Sequence, residues 1–296
     1  MTGVLLIDKP SGPTSHDVVS RIRRSSGERS IGHTGTLDPR ATGLLPLVLG
    51  RATRLASLLS SGEKTYDATI SLGFATDTDD ADGQPLGPAA ASLPPADAVQ
   101  EALTRFRGTF EQVPPRHSAK KISGRKAYEL ARRDQPVQLA PVAVTVSSLE
   151  LLSCAGAMLE VRVTAGSGFY VRALARDLGE ALGCGAHLQA LRRTRSGGFD
   201  VAGALSLEEA ERLGRGVEER LIPAAEALPH LPSVRMTAAG LTRAVHGNPL
   251  GPADLEGRWV PPAGAGGPVR LLAGDGRLVA LAHSRGGALH PVTVLG

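Results

Sequence analysis

Residues 30–54, SIGHTGTLDPRATGLLPLVLGRATR, set Gly32, Gly35, Gly43 and Gly50 around His33, Thr34, Thr36 and Asp38, and few folds need such a loop. Glycine permits backbone conformations and close approaches that a Cβ forbids, so this stretch can press its main chain against a ligand while presenting Asp38 at a turn. Asp-Pro is equally the order of a helix cap, with Asp38 satisfying the first amides and Pro39 at the first helical position. Local pattern alone leaves both open.

The surrounding 296 residues are 42% hydrophobic and 21% charged, enough to bury a substantial core in one large domain plus a small one, and unlike a disordered or collagen-like chain. The net charge of +4 is modest but unevenly spread. Residues 65–104 hold acids and no Lys or Arg, whereas 105–133 hold Arg105, Arg107, Arg116, Lys120, Lys121, Arg125, Lys126, Arg132 and Arg133 against only Glu111 and Glu129. Such a stripe seeks phosphate, although a solvated helix face has the same composition. The apolar run at 41–50 is broken by Gly43 and Pro46, far short of the roughly 20 residues that cross a bilayer. Val4, Leu5, Leu6 and Ile7 make too short an apolar stretch for a signal peptide, so a cytoplasmic protein without membrane contact is expected. Cys154 and Cys184 lie outside any CxxC pair and no HExxH occurs, so neither a metal site nor a disulfide is expected.

Hydrophobic periodicity predicts a helix over 15–25 with Val18, Val19 and Ile22 inward and Gly27 as its stop, then an ordered loop over 28–43. Tyr66, Ala68, Ile70, Leu72 and Phe74 alternate with Asp67, Thr69, Ser71 and Gly73 as in a half-buried strand. A turn-rich acidic loop over 77–95 precedes a helix over 97–107 carrying Val99, Leu103 and Phe106 inward. Strand patterns follow at 142–152 and 158–164. A helix over 169–182 puts Tyr170, Leu174, Leu178 and Ala181 on one face and Arg172 and Arg176 on another. Ser206 and Glu209 form a capping-box pattern. The proline-rich stretch 222–234 reads as a linker with a domain boundary near 230, beyond which Gly274-Asp275-Gly276 signals a hairpin in a small β domain. The fold class expected is α+β.

The segment GHTGTLDPRATGLLPLVLGRATR resembles the active-site motif of the TruB-type tRNA pseudouridine synthases. The resemblance continues, in the family's order, through LLIDKPSGPTSHDVVSRIR at 5–23, KTYDATISLGFATDTDDADG at 64–83, GSGFYVRALARDLGEALGCGAH at 166–187 and LRRTRSGGF at 191–199. It implies a catalytic domain over 1–229, a mixed and mainly antiparallel central sheet flanked by helices, with an RNA-gripping insertion near 114–133. It further implies a small β-barrel-like PUA-type RNA-binding domain over 230–296, where LTRAVHGNPL and DGRLVALA carry a weaker match. The implied activity is isomerisation of uridine 55 in the tRNA T loop to pseudouridine by an enzyme without cofactor or metal, acting as a monomer. Relatives that share the aspartate loop include guide-RNA-dependent catalytic subunits, and a catalytically silent RNA-binding protein is a third possibility.

Asp38 matches the family's catalytic aspartate. A carboxylate buried beside a base tends to protonate, so a nearby guanidinium is needed to hold it ionised, and Arg172 is assigned to that task. Tyr66 aligns with the tyrosine that stacks on the extruded base, and His33 with the histidine that meets the substrate loop. Tyr170 and Leu191 match positions lining the uridine pocket. Lys9 and Pro10 belong to a motif supporting the floor of the site. Lys120, Lys121, Arg125, Lys126, Arg132 and Arg133 are the expected backbone contacts, while His117 stands where relatives often have an aromatic residue.

Overall fold

The computed structural model describes residues 1–116, 139–257 and 267–296, with the backbone of 121–122 and 125–126. It divides into two compact units, one formed by Met1–Asp38, Leu45–Ser60 and Gly198–Gly296, the other by Pro39–Leu44 and Ser61–Gly197.

In the first unit the strand Gly3–Lys9 pairs in parallel with Leu205–Ser206, and Ile31–His33 pairs antiparallel with the later part of the strand Thr42–Leu49. The helix Ser15–Ser26 forms where the periodicity places it. Thr14 caps it in a reciprocal box with Asp17, and Gly27 ends it at φ 75°, a conformation that suits a residue without Cβ. Its Val18, Val19 and Ile22 are fully or almost fully buried. The capping pattern at Ser206 is realised in the helix Leu207–Leu213, where the Ser206 side chain accepts from the Glu209 amide.

The same unit contains a four-stranded sheet in the order Ser233–Arg235, Val269–Leu272, Leu278–Arg285, Ala288–Val294, parallel in its first pair and antiparallel thereafter. The helix Ala238–Val245 packs with it over a separate core that includes Met236, Leu250, Leu271 and Val279. Arg270 ties this β domain to the preceding linker, donating to the carbonyls of Leu231 and Ala225. Arg51 donates to the Leu295 carbonyl at 2.9 Å, and Arg54 to that of Val294.

The second unit is a mixed sheet whose order runs from the start of Thr42–Leu49 through Ala186–Ser196, Lys64–Leu72, Met158–Ala165 and Val142–Ala155 to Gly108–Gln112. The first pair is parallel and the others antiparallel. The helices Ala96–Thr104 and Val171–Ala181 cover one face. Val99, Leu103, Leu174 and Leu178 pack there with Ala68, Ile70, Val161 and Val163. Asp67 and Arg162, opposite each other on neighbouring strands, form an ion pair of 2.7 Å.

Several of the described strands escape periodicity, among them the short Ile31–His33 within the loop expected over 28–43, and Gly108–Gln112. Gly3–Lys9 and Thr42–Leu49 are buried almost throughout, so apolar residues fill successive positions and no alternation survives. Ala186–Ser196 lies inside the sheet yet carries Arg192, Arg193 and Arg195, so its composition hides it. Among the described residues no helix is long and apolar enough to cross a membrane. Nor do these residues contain a group of three or more His, Cys, Asp or Glu placed to hold a metal ion. Both cysteines are free.

Candidate functional site

In the first unit, Ile31–His33 brings the chain into the glycine-rich loop. Pairing of the Thr34 amide with the Pro46 carbonyl at 3.1 Å closes its base. The Gly35 amide donates to His33 Nδ1 at 3.3 Å, fixing the imidazole's acceptor face toward its own turn. The residue before Asp38 is held on both backbone groups. Ser15 Oγ accepts from the Leu37 amide at 2.8 Å and donates to its carbonyl at 3.0 Å. Asp38 is half-buried, and no helix follows it. The helix-cap alternative is therefore corrected: the chain bends at Pro39 and Arg40 and enters the strand Thr42–Leu49. The buried run from Gly43 to Leu49 stabilises that outcome, since both faces of this strand find apolar cover.

Lys9, at the end of its strand, is fully buried. Burial pulls its ammonium pKa down to about 8, opposed by the nearby carboxylates of Asp38 and Asp17. Its Nζ donates to the Pro10 carbonyl at 2.9 Å. The motif expected to support the floor thus also supplies a cation within electrostatic reach of Asp38.

In the second unit, Tyr170 is the residue at which the helix Val171–Ala181 begins. Gln112, buried at the end of its strand, grips it by donating to the Tyr170 carbonyl at 3.2 Å and accepting from its amide at 2.9 Å. Arg172 is 7% exposed, so it does not occupy the solvent face that helical periodicity alone would allow. Its Nη1 lies 3.3 Å from the Thr78 carbonyl and 3.5 Å from Asp80 Oδ2. One turn on, Arg176 pairs with Asp79 at 3.1 Å and Asp177 at 2.8 Å, and donates to the Val113 carbonyl. Burial raises the carboxyl pKa of Asp79 despite both arginines, and its backbone sits at φ 63°. The acidic loop is thereby fastened to the helix by two arginines spaced four apart.

Tyr66 and Leu191 sit on adjacent strands. Tyr66 is paired across the sheet with Arg193 and Ala68 with Leu191, so all four side chains share a face. Leu191 borders a hollow of about 330 Å³ that Arg40, Thr42 and Arg192 also line. Arg193 is 1% exposed, and its guanidinium is hydrogen-bonded to the Tyr66 phenol. Arg193, Gln112 and Asp80 were not among the expected site residues. The quoted LRRTR motif contains Arg193, but alternation could not say which of its arginines turns inward.

Of the basic insertion, Lys121 and Ile122 pair antiparallel with Lys126 and Arg125 as two short strands. Lys120, Arg132, Arg133 and His117 lie outside the described residues.

Known proteins agree with this architecture. Residues 23–171 match the model of the TruB family pseudouridylate synthase N-terminal domain, and 172–227 that of the tRNA pseudouridylate synthase B C-terminal domain. The tRNA pseudouridine synthase B of Thermobifida fusca (strain YX) is 44% identical over 305 residues, covering 99% of this chain and 98% of that protein. Its counterpart from Solibacter usitatus (strain Ellin6076) is 47% identical over 238 residues, covering 79% and 80%. A Cbf5-Nop10-Gar1 complex contains a chain similar over 100% of this one and 85% of its own length, with a TM-score of 0.75 and 27% identity. An H/ACA RNP bound to a substrate RNA containing 2'-deoxyuridine gives 0.74 and 26% at the same coverage. With a glycine-rich aspartate loop, a mixed sheet backed by two helices and relatives matched along nearly its whole length, the chain belongs to the TruB family of pseudouridylate synthases.

Proposed function

We propose that this protein is a stand-alone tRNA pseudouridine synthase that converts uridine 55 of the T loop to pseudouridine. The N1–C1′ glycosidic bond breaks, the uracil turns, and a C5–C1′ bond forms. C5 loses a proton and N1 gains one, so the reaction is an isomerisation that needs no cofactor. A uridine stacked in a folded loop hides its reacting atoms and must be extruded at a cost of a few kcal/mol, which phosphate contacts help offset.

Asp38 is the catalytic carboxylate in this reading, ionised so that it can act as nucleophile or base. Arg172 and the buried Lys9 supply positive charge for it. Tyr66 stacks on the extruded base and can carry a proton at C5, Tyr170 and Leu191 line the uridine pocket, and His33 meets the loop from which the base departs. The insertion at 114–133 grips backbone phosphate through Lys120, Lys121, Arg125, Lys126, Arg132 and Arg133. Residues 1–229 form the catalytic domain and 230–296 a PUA-type RNA-binding domain. The protein works in the cytoplasm as a monomer.

The observation that carries this reading is Asp38 itself. It is half-exposed on a loop pinned at Leu37, with a buried cation in electrostatic reach, where a purely structural aspartate would have been a helix cap. Relatives named tRNA pseudouridine synthase B, 44% and 47% identical, weigh against the rival reading, a guide-RNA-dependent subunit. Purified protein incubated with unmodified tRNA and with a bare T-arm stem-loop decides between them. One T-loop uridine should become chemically labelled as pseudouridine at unchanged mass in both substrates. Isomerisation only after guide RNA and partner proteins are added would select the rival.

A further inference from the structure

We propose that Arg193 is a positioning residue for the reaction, holding the Tyr66 phenol so that its ring is presented to the extruded base at a fixed angle. The inference rests on the role of Tyr66 given above. Arg193 lies directly opposite Tyr66 in the register of the two central strands and shares its face of the sheet. It is among the largest fully buried side chains of the protein, and a guanidinium cannot shed its charge to escape that environment. Burial makes such a cation expensive, and an aliphatic residue would fill the space at lower cost.

The surrounding backbone is shaped to hold it. Gly43 pairs with Arg193 across the parallel ladder at φ 97°, and a Cβ there would lie 2.2 Å from the Arg193 carbonyl oxygen. That close approach lets the next residue's carbonyl, that of Leu44, accept from Arg193 Nε at 2.8 Å. With Nε anchored, the planar fork is fixed in rotation, and its hydrogen bond to Tyr66 becomes a constraint on the phenol. Lysine has no such fork. It can keep the charge but not both directed bonds.

The experiment labels the full-length protein with 3-fluorotyrosine. The chain has three tyrosines, Tyr66, Tyr128 and Tyr170, and Tyr66→Phe assigns the resonance of interest. Arg193→Gln and Arg193→Lys are then compared for fluorine shift, kcat on tRNA and tRNA affinity. The Tyr66 resonance should move in both variants while those of Tyr128 and Tyr170 stay. The kcat should fall roughly 10- to 100-fold for Arg193→Gln and less for Arg193→Lys, with affinity changed by less than about threefold. If Arg193→Gln does not fold, Arg193→Lys carries the decision. A stationary Tyr66 resonance in a folded variant overturns the proposal, and so does a moved resonance with unchanged kcat. An unaltered protein that fails to isomerise tRNA overturns the function itself and this role with it, a result distinct from the fluorine readout.

Discussion

A carboxylate that works ionised depends on its neighbours, and the buried ammonium of Lys9 lies within electrostatic reach of Asp38 in the same unit. Asp38→Asn keeps the shape of the loop and removes the charge. We expect pseudouridine formation to fall on the order of 10³-fold or more while tRNA binding in a filter assay stays within a few-fold. Loss of both together would make Asp38 a binding residue. Lys9 has its own signature. Its pKa is about 8 in the folded protein and 10.5 ordinarily, so between these values the unfolded chain binds the proton more tightly. Its contribution to stability therefore rises with pH across that window and is lost as pH falls toward 8. Unfolding by denaturant at pH 7 to 10 should show wild type gaining stability relative to Lys9→Met as pH rises toward 10. A difference independent of pH would place that titration elsewhere. The glycine-rich loop around Asp38 was legible in composition, but local pattern left Asp38 open between helix cap and ligand-facing residue, and only the resemblance pointed to a catalytic role. Gln112 and Arg193 were not legible, since period-2 and period-3.6 patterns sort apolar from polar residues and cannot tell which polar side chain is enclosed.

At the scale of elements, the helix Val171–Ala181 and the acidic loop form one device. Arg172 Nη1 faces the Thr78 carbonyl and Asp80, while Arg176 secures Asp79 in its left-handed conformation. Arg172→Lys substitutes a point charge for a planar donor, so turnover should drop more than affinity. An unaltered kcat would remove Arg172 from the mechanism. The central strands make a second device. Gly43→Ala forces a side chain into a left-handed position and against the Arg193 backbone, which cannot move without disturbing the ladder. A loss of about 1–3 kcal/mol in equilibrium unfolding is expected. A neutral result would mean that the two strands can separate freely at this point. The amphipathic helices and half-buried strands were readable from pattern, because one face of each meets the core. The central strand Ala186–Ser196 was not, because its arginines serve partners that only the assembled sheet supplies.

For the whole molecule, the decisive property is the distribution of charge rather than its sum. A net charge of +4 on 296 residues gives little general attraction to RNA, yet nine of the Lys and Arg residues fall within 105–133. If that segment tracks the phosphate backbone, each phosphate it neutralises releases condensed counterions, and the slope of log K against log salt reports their number. Lys120→Glu with Lys121→Glu should weaken tRNA binding and make that slope shallower by roughly one for each phosphate no longer neutralised. The kcat at saturating tRNA should change much less, because a phosphate contact positions the substrate without touching the reacting base. Circular dichroism on the same preparation separates weakened charge pairing from misfolding. Weaker binding with an unchanged slope would mean the double reversal altered shape rather than charge pairing. The RNA path would then be sought on the Arg-bearing strands of the sheet, where Arg40 and Arg192 line the hollow beside Leu191.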